Sequence, residues 1–238
     1  MSSGIFYGVG VGPGDPGLLT LKAVQLLREA RVVVAPRSAP GQDSLALAVA
    51  RDHLPAACLI LHLHFPMTKN ESCLEEAWDD ALAQVRAHLD AGEDVVFLTI
   101  GDPMLYSTCI YLLQRLKAGG YQVRVIAGVP SFCAAAAAAA FPLAAGEERI
   151  AVFPWKGDDS LSPSFLGSFD TVVLLKVASH LNGAVAALQQ ADMLEHSVLV
   201  SNCGRPDEEI SSDLRDAVRR KEPLPYLSLI LARRQKEI

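Results

Sequence analysis

Short apolar runs separated by amphipathic stretches of helical length are the feature that most narrows the folds open to this 238-residue chain. The runs are Ile5–Gly10, Arg31–Ala35, Cys58–Leu61, Asp94–Ile100 and Val123–Ile126. Strands buried on both faces read as continuous apolar runs, so this alternation predicts a parallel sheet covered by helices. The clearest helix spans about Glu71 to Ala91, where Leu74, Ala77, Trp78, Ala81, Leu82, Val85 and Leu89 recur at steps of three and four, and Gly92 stops it. A second α/β series follows, with strands expected at Ile150–Phe153, Thr171–Val177, Ser197–Ser201 and Leu227–Leu231. The expected fold class is α/β with two lobes, 1–126 and 127–238, joined by a short connector near Gly119-Gly120 or Ala127-Gly128. Two such lobes leave a cleft between them, and ligand sites in open α/β sheets lie in the loops after the strands. No internal repeat is evident.

Half the residues are hydrophobic, enough for a sizeable core. A net charge of -6 gives no reason to expect nucleic acid or an anionic membrane as a partner, so any anionic ligand must meet a local basic cluster. Cys58, Cys73, Cys109, Cys133 and Cys203 are odd in number and contain no C-x-x-C pair, which argues against a disulfide framework or zinc cage and fits a reducing cytosol. Met1-Ser2-Ser3-Gly4 leads straight into a strand-like run, without the basic and apolar regions of a signal peptide. The apolar stretch Ser131 to Leu143, with alanine from Ala134 to Ala140, is shorter than the ~20 residues that span a bilayer. It reads as a buried helix whose small side chains permit close packing.

The first strand runs into Gly8-x-Gly10-x-Gly12-Pro13-Gly14-Asp15, which invites a dinucleotide-binding reading. The register is wrong: the third glycine should fall three residues after the second, where Pro13 or Asp15 stands. The second strand ends Val34-Ala35-Pro36-Arg37, with no acid for a ribose hydroxyl. No Gly-Lys-Ser/Thr follows, which excludes a Walker loop. A plainer account is a tight turn whose glycines supply positive φ and whose Asp15 caps the helix starting near Pro16.

Further loops fall at strand ends in order. They are Gly101-Asp102-Pro103-Met104-Leu105-Tyr106-Ser107, then Ala127-Gly128-Val129-Pro130-Ser131-Phe132, Lys176, and Asn202-Cys203-Gly204-Arg205-Pro206-Asp207-Glu208. In this order and spacing the chain resembles the tetrapyrrole (corrin/porphyrin) methylases nearly from end to end. The resemblance implies a two-lobed fold, a homodimer, and S-adenosylmethionine bound in the cleft rather than on a Rossmann turn. Within the family, Gly10 to Pro16, His64-Phe65-Pro66-Met67-Thr68, Thr99 to Ser107 and Asp170 to Val177 point to methylation of carbon 20 of precorrin-2 or cobalt-factor II, in cobalamin synthesis. Methylation at carbon 11 or 17 is the alternative inside the family. A nicotinamide-dependent oxidoreductase or a tetrapyrrole carrier is the alternative outside it. Uroporphyrinogen methyltransferases carry Asp-Arg after the second strand, where this chain has Pro36-Arg37, so that relative is disfavoured.

The resemblance places the cofactor at Pro13, Ile100, Gly101, Asp102, Leu105, Tyr106, Pro130, Ser131, Lys176, Cys203 and Gly204. Backbone groups at Gly101, Asp102 and Leu105 suit the methionine moiety, and the Asp102 carboxylate can offset its ammonium. Lys176 reads equally as a surface charge closing a buried strand. Candidate substrate contacts are Gly12, Gly14 and Asp15, with Arg37, Lys69, Lys156 and Arg205 as partners for the eight carboxylates of a tetrapyrrole. Tyr106, His64 and His62 are weak candidates for taking the proton that carbon 20 loses, although Leu61-His62-Leu63-His64 also alternates like an outward-facing strand end. Two histidines are too few to assert a metal site, and none is assigned.

Overall fold

The computed structural model describes residues 3–39, 41, 43–66, 68, 70–157, 162–220 and 222–234. Lys69, and Met67 of the His64–Thr68 segment, lie outside the described residues. The chain divides into two compact units, Met1–Pro130 and Ser131–Ile238.

The first unit is built on β1 (Ile5–Gly10), β2 (Val32–Arg37), β3 (Leu59–His64), β4 (Val95–Thr99) and β5 (Gln122–Ile126). These form a parallel sheet in the order β3-β2-β4-β1-β5. Helices α1 (Leu21–Glu29), α2 (Leu45–Ala50), α3 (Glu71–Asp90) and α4 (Cys109–Ala118) connect the strands. One sheet face packs Val9, Val33, Ala35 and Leu98 on Ala23 and Leu27 of α1 and Leu47 of α2. The other packs Phe6, Val34 and Phe97 on Leu82, Val85 and Leu89 of α3 and Leu112 and Leu116 of α4. Burial on both faces is why the inner strands β1, β2 and β4 carry no polar alternation, whereas the edge strands β3 and β5 expose part of theirs, and each fully buried Leu or Phe contributes about 1.5–3 kcal/mol. Helix α3 starts where Asn70 Oδ1 accepts from the Cys73 amide at 3.3 Å, and it ends before Gly92 at φ 81°. The chain steps β1-β2-β3 toward one edge, then returns to place β4 between β2 and β1. That reversal is a topological switch point, with ligand space expected beyond the carboxyl ends of β1 and β4.

The second unit contains α5 (Ser131–Ala138), β6 (Ile150–Pro154), α6 (Pro163–Leu166), β7 (Thr171–Leu175), α7 (Leu181–Gln190), β8 (Ser197–Ser201), β9 (Glu209–Ser211), α8 (Leu214–Arg220) and β10 (Ser228–Arg233). Its sheet runs β6-β7-β10-β8-β9. Only β6 and β7 pair in parallel; β10 is antiparallel to β7 and β8, and β9 to β8. This sheet is mixed in direction, and it contains the four strands expected from the sequence, with β9 added at one edge. Strand β7 stops at Leu175 rather than Val177, because Lys176 turns into the left-handed region at φ 61°, ψ 37°. The alanine helix also differs from expectation: Ala134, Ala135 and Ala136 are buried, but Cys133, Ala137 and Ala138 are exposed, and it ends at Ala138. Among the described residues no helix is long and apolar enough to cross a membrane.

The cysteines are free. Burial pushes the Cys109 thiol up to about 12, and its sulfur occupies the space beside Gly8, where a Cβ would stand 2.6 Å from it. The unfolded thiol titrates near 9, so the stability gained from the neutral buried thiol is complete below that pH and is lost as pH rises toward 12. In the native protein at pH 8, a disulfide reagent should label exposed Cys73 and spare Cys109 until urea unfolds the chain. Cys109→Ala should lose about 1 kcal/mol of packing and show a weaker fall in urea midpoint between pH 8 and 10.5 than the parent. Labelling of native Cys109 at pH 8 would contradict this placement.

Candidate functional site

Three strand ends of the first unit meet through glycines. A Cβ on Gly10 would stand 2.6 Å from both the Gly101 carbonyl oxygen and the Gly128 nitrogen. One on Gly128 would run into that same oxygen and lie 2.7 Å from Gly10 Cα. Only hydrogen fits, so the chain after β1, β4 and β5 touches backbone to backbone. Gly12 (φ 78°) and Gly101 (φ 74°) form an isolated antiparallel bridge, with Gly101 N–H donating to the Gly12 carbonyl at 2.8 Å. Val11 N–H donates to the Thr99 carbonyl at 2.9 Å.

Asp102 locks this junction. Its Oδ2 accepts from the Gly128 amide at 3.0 Å and its Oδ1 from the Met104 amide at 2.8 Å. Its carboxylate therefore ties the β4 loop to the β5 loop. A carboxylate has about four acceptor positions, so two remain for a ligand cation such as an ammonium group. Ser107 closes the same loop onto its strand: the buried hydroxyl accepts from Cys109 N–H at 3.0 Å and donates to Thr99 Oγ1 at 3.4 Å. Between these ties Leu105 N–H donates to the Asp102 carbonyl at 3.3 Å, and Met104 and Tyr106 are half exposed. Tyr106 holds φ 50°, a left-handed conformation that costs a non-glycine residue roughly 1–2 kcal/mol.

The first turn is a different device from a nucleotide cradle. Asp15 Oδ1 accepts from Gly17 N–H at 2.7 Å and caps a short 3₁₀ turn, Pro16–Leu18, ahead of α1. Gly12 and Pro13 are buried, Gly14 is half-buried and Asp15 is exposed. The structure thus brings Gly12, Pro13, Gly101 and Asp102 together. Sequence reasoning passed over Gly10 and Gly128 as site residues; a glycine closing β1 and another two residues past β5 were the signal.

Farther along the same carboxyl edge, Arg37 ends β2 and His64 ends β3, as register partners. His64 Nε2 lies 3.2 Å from the Ser38 carbonyl. His62 and His64 are exposed while Leu63 is buried, as the alternation anticipates. Among the described residues no group of three His, Cys, Asp or Glu side chains is placed to hold a metal.

In the second unit, exposed Lys176 follows β7 and Cys203-Gly204 follows β8. Asn202 (φ 50°) and Gly204 (φ 76°) shape the latter loop. Asn202 Nδ2 donates to Asp207 at 2.8 Å, Gly204 N–H to Glu208 at 2.7 Å, and Arg205 Nε to Asp207 at 3.0 Å. Arg205 is therefore already paired with an acid. Cys203 is buried, and desolvation followed by the Glu208 charge holds its thiol at about 12, so it serves as packing rather than as a nucleophile. Ser131 opens α5, Pro130 closes the first unit, and Lys156 is exposed after β6.

A parallel sheet whose strand-end loops are fastened by glycine contacts and one carboxylate at a topological switch point defines an α/β protein of the doubly wound kind. The chain belongs to the tetrapyrrole (corrin/porphyrin) methylases, whose family model matches residues 6–217. It is 36% identical over 235 residues to the cobalt-precorrin-2 C(20)-methyltransferase of Salmonella typhimurium, covering 99% of this chain and 98% of the relative. It is 30% identical to the precorrin-2 C(20)-methyltransferase of a Sinorhizobium species, covering 96% and 94%. Among solved structures, the uroporphyrin-III C-methyltransferase of Thermus thermophilus complexed with S-adenosylhomocysteine superposes with a TM-score of 0.69 at 26% identity, covering 96% and 97%.

The junction makes a sharp prediction. Gly128→Ala forces a methyl group against the Gly101 carbonyl and should lower stability by about 3 kcal/mol, read as a urea midpoint. Gly120→Ala, at φ 84° with open space around it, should cost only its backbone strain of about 1–2 kcal/mol. Equal midpoints for the two variants would rule out the close contact.

Proposed function

We propose that this chain transfers a methyl group from S-adenosylmethionine to carbon 20 of precorrin-2 or cobalt-factor II, in cobalamin synthesis. The observation that carries the reading is the end-to-end match to a named C(20)-methyltransferase at 36% identity. The donor set agrees: a free-sided carboxylate and backbone acceptors suit a zwitterionic, positively charged cofactor. Bound S-adenosylmethionine supplies an electrophilic methyl on sulfur, and the nucleophile is an electron-rich meso carbon of the macrocycle.

The protein's task is alignment at about 3–3.5 Å and exclusion of water. Asp102 orients the methionine end through its remaining acceptor positions while its other contacts hold the loop. Gly101 and Leu105 offer backbone groups beside it, and Pro13, Ile100 and Tyr106 border the same space. Pro130, Ser131, Lys176, Cys203 and Gly204 enter as cofactor contacts on the resemblance. Gly12, Gly14, Asp15, Arg37 and Arg205 enter as substrate contacts, Asp15 with one oxygen committed to its cap and Arg205 through the guanidinium edge not used by Asp207. Tyr106 and His64 are the candidates for accepting the proton released from carbon 20.

Incubation with labelled S-adenosylmethionine and each tetrapyrrole, read by mass spectrometry and NMR, should show one methyl added at carbon 20. Calorimetry should show S-adenosylhomocysteine binding that weakens about tenfold in Asp102→Asn. Tight NAD binding with no response to S-adenosylhomocysteine would overturn the reading. On the same resemblance the enzyme is a cytoplasmic homodimer; light scattering should give twice the 25.5 kDa of one chain, and a single-chain mass would refute the dimer.

A further inference from the structure

We propose that Arg37, His62 and His64 form a binding row for a peripheral carboxylate of the tetrapyrrole, an inference that rests on the methyltransferase reading above. Arg37 and His64 are register partners at the carboxyl ends of β2 and β3, and His62 stands opposite Ala35, two residues back on the same face. Leu63 points the other way into the core. The three side chains are therefore presented together at the ligand edge of the first sheet.

Among the described residues Arg37 has no ion-pair partner. Its Nε is closed off with no hydrogen-bond partner, but Arg37 as a residue is only half-buried, and an arriving carboxylate can pair with the terminal guanidinium nitrogens. His62 faces Arg37 of β2, Arg51 after α2 and Asp43 before it. Partial desolvation of this otherwise exposed ring, then the two guanidiniums, lower its proton affinity, with Asp43 opposing them. A bound carboxylate reverses that balance, so His62 takes up a proton with the ligand. His64, with Nε2 donating to the Ser38 carbonyl, offers a second donor at Nδ1 only when protonated.

Position agrees with substrate size. Strands lie about 4.8 Å apart, so the ends of β2 and β3 stand roughly 10 and 14 Å along the edge from the glycine turn of β1. A macrocycle reacting beside that turn carries its rim carboxylates along this edge. The chain's net charge of -6 repels a polyanion overall, and this row supplies the local attraction.

The test compares steady-state kinetics of the full chain with Arg37→Gln and with the double variant His62→Gln/His64→Gln. In Arg37→Gln the KM for the tetrapyrrole should rise about tenfold, with the KM for S-adenosylmethionine unmoved. In the parent the tetrapyrrole KM should fall as pH drops from 7.5 to 6, because protonation adds charge to the row; the double variant should lose that trend. A methyl-esterified tetrapyrrole should lose it in the parent too. If Arg37→Gln does not fold, His62→Gln, which leaves the candidate proton acceptor His64 in place, decides alone through the pH trend of the tetrapyrrole KM. A parent that methylates either tetrapyrrole while the variants keep its KM and pH trend would overturn the row and leave the methyltransferase reading standing. A parent inert on both tetrapyrroles, with no binding of S-adenosylhomocysteine, would overturn both.

Discussion

The contact of three glycine backbones at Gly10, Gly101 and Gly128 is the constraint on which the rest of the first unit's site depends. Strands β4, β1 and β5 are neighbours, so this contact pins three adjacent strand ends. Twist makes parallel strands diverge toward their ends, and loops leaving them ordinarily separate. Here the Gly12–Gly101 bridge extends pairing past the sheet, and the Asp102 carboxylate accepts an amide from each side of the gap. Bonds from neutral amides to an ionised acceptor are roughly twice as strong as neutral ones, which suits a tie that must hold loops without secondary structure.

This geometry also explains why the glycine turn fails as a nucleotide fingerprint. In a Rossmann turn the glycines let a pyrophosphate approach the backbone. In this chain Gly10 admits other backbone, Gly12 pairs with Gly101, and Asp15 spends one oxygen capping the next turn. The aspartate that would repel phosphate in a nucleotide loop is here a cap. The same glycine-rich pattern thus serves chain-to-chain contact, and composition alone cannot distinguish the two uses.

The first sheet was legible because burial on both faces leaves an unbroken apolar run, and the helix at Glu71–Asp90 because its apolar stripe repeats over five turns. The second sheet was less so. Strand β9 is Glu-Ile-Ser at an edge, too short and too exposed to leave a pattern, and the antiparallel course of β10 depends on a crossover that local residues do not encode. Site loops were legible as positions, since Gly and Asp clusters follow the strands. Their internal wiring was not: nothing in Gly101-Asp102-Pro103 says that its carboxylate reaches residue 128. Long-range contacts of that kind exist only once the sheet has brought β4 and β5 to either side of β1.

Backbone strain gives an independent view of where the fold has been shaped for something other than stability. Five described non-glycine residues adopt positive φ: Tyr106, Ala140, Lys176, Asp192 and Asn202. Ala140 and Asp192 follow the ends of α5 and α7, where a left-handed residue is an ordinary way to finish a helix. The other three follow strands β4, β7 and β8. Asparagine tolerates that conformation, but tyrosine and lysine do so at a cost of roughly 1–2 kcal/mol each. A glycine at 106 or 176 would relieve the strain, so what is retained there is the side chain and its direction. Strain confined to the loops after strands and absent from strand interiors means that the packed sheet beneath them carries the cost of holding these side chains.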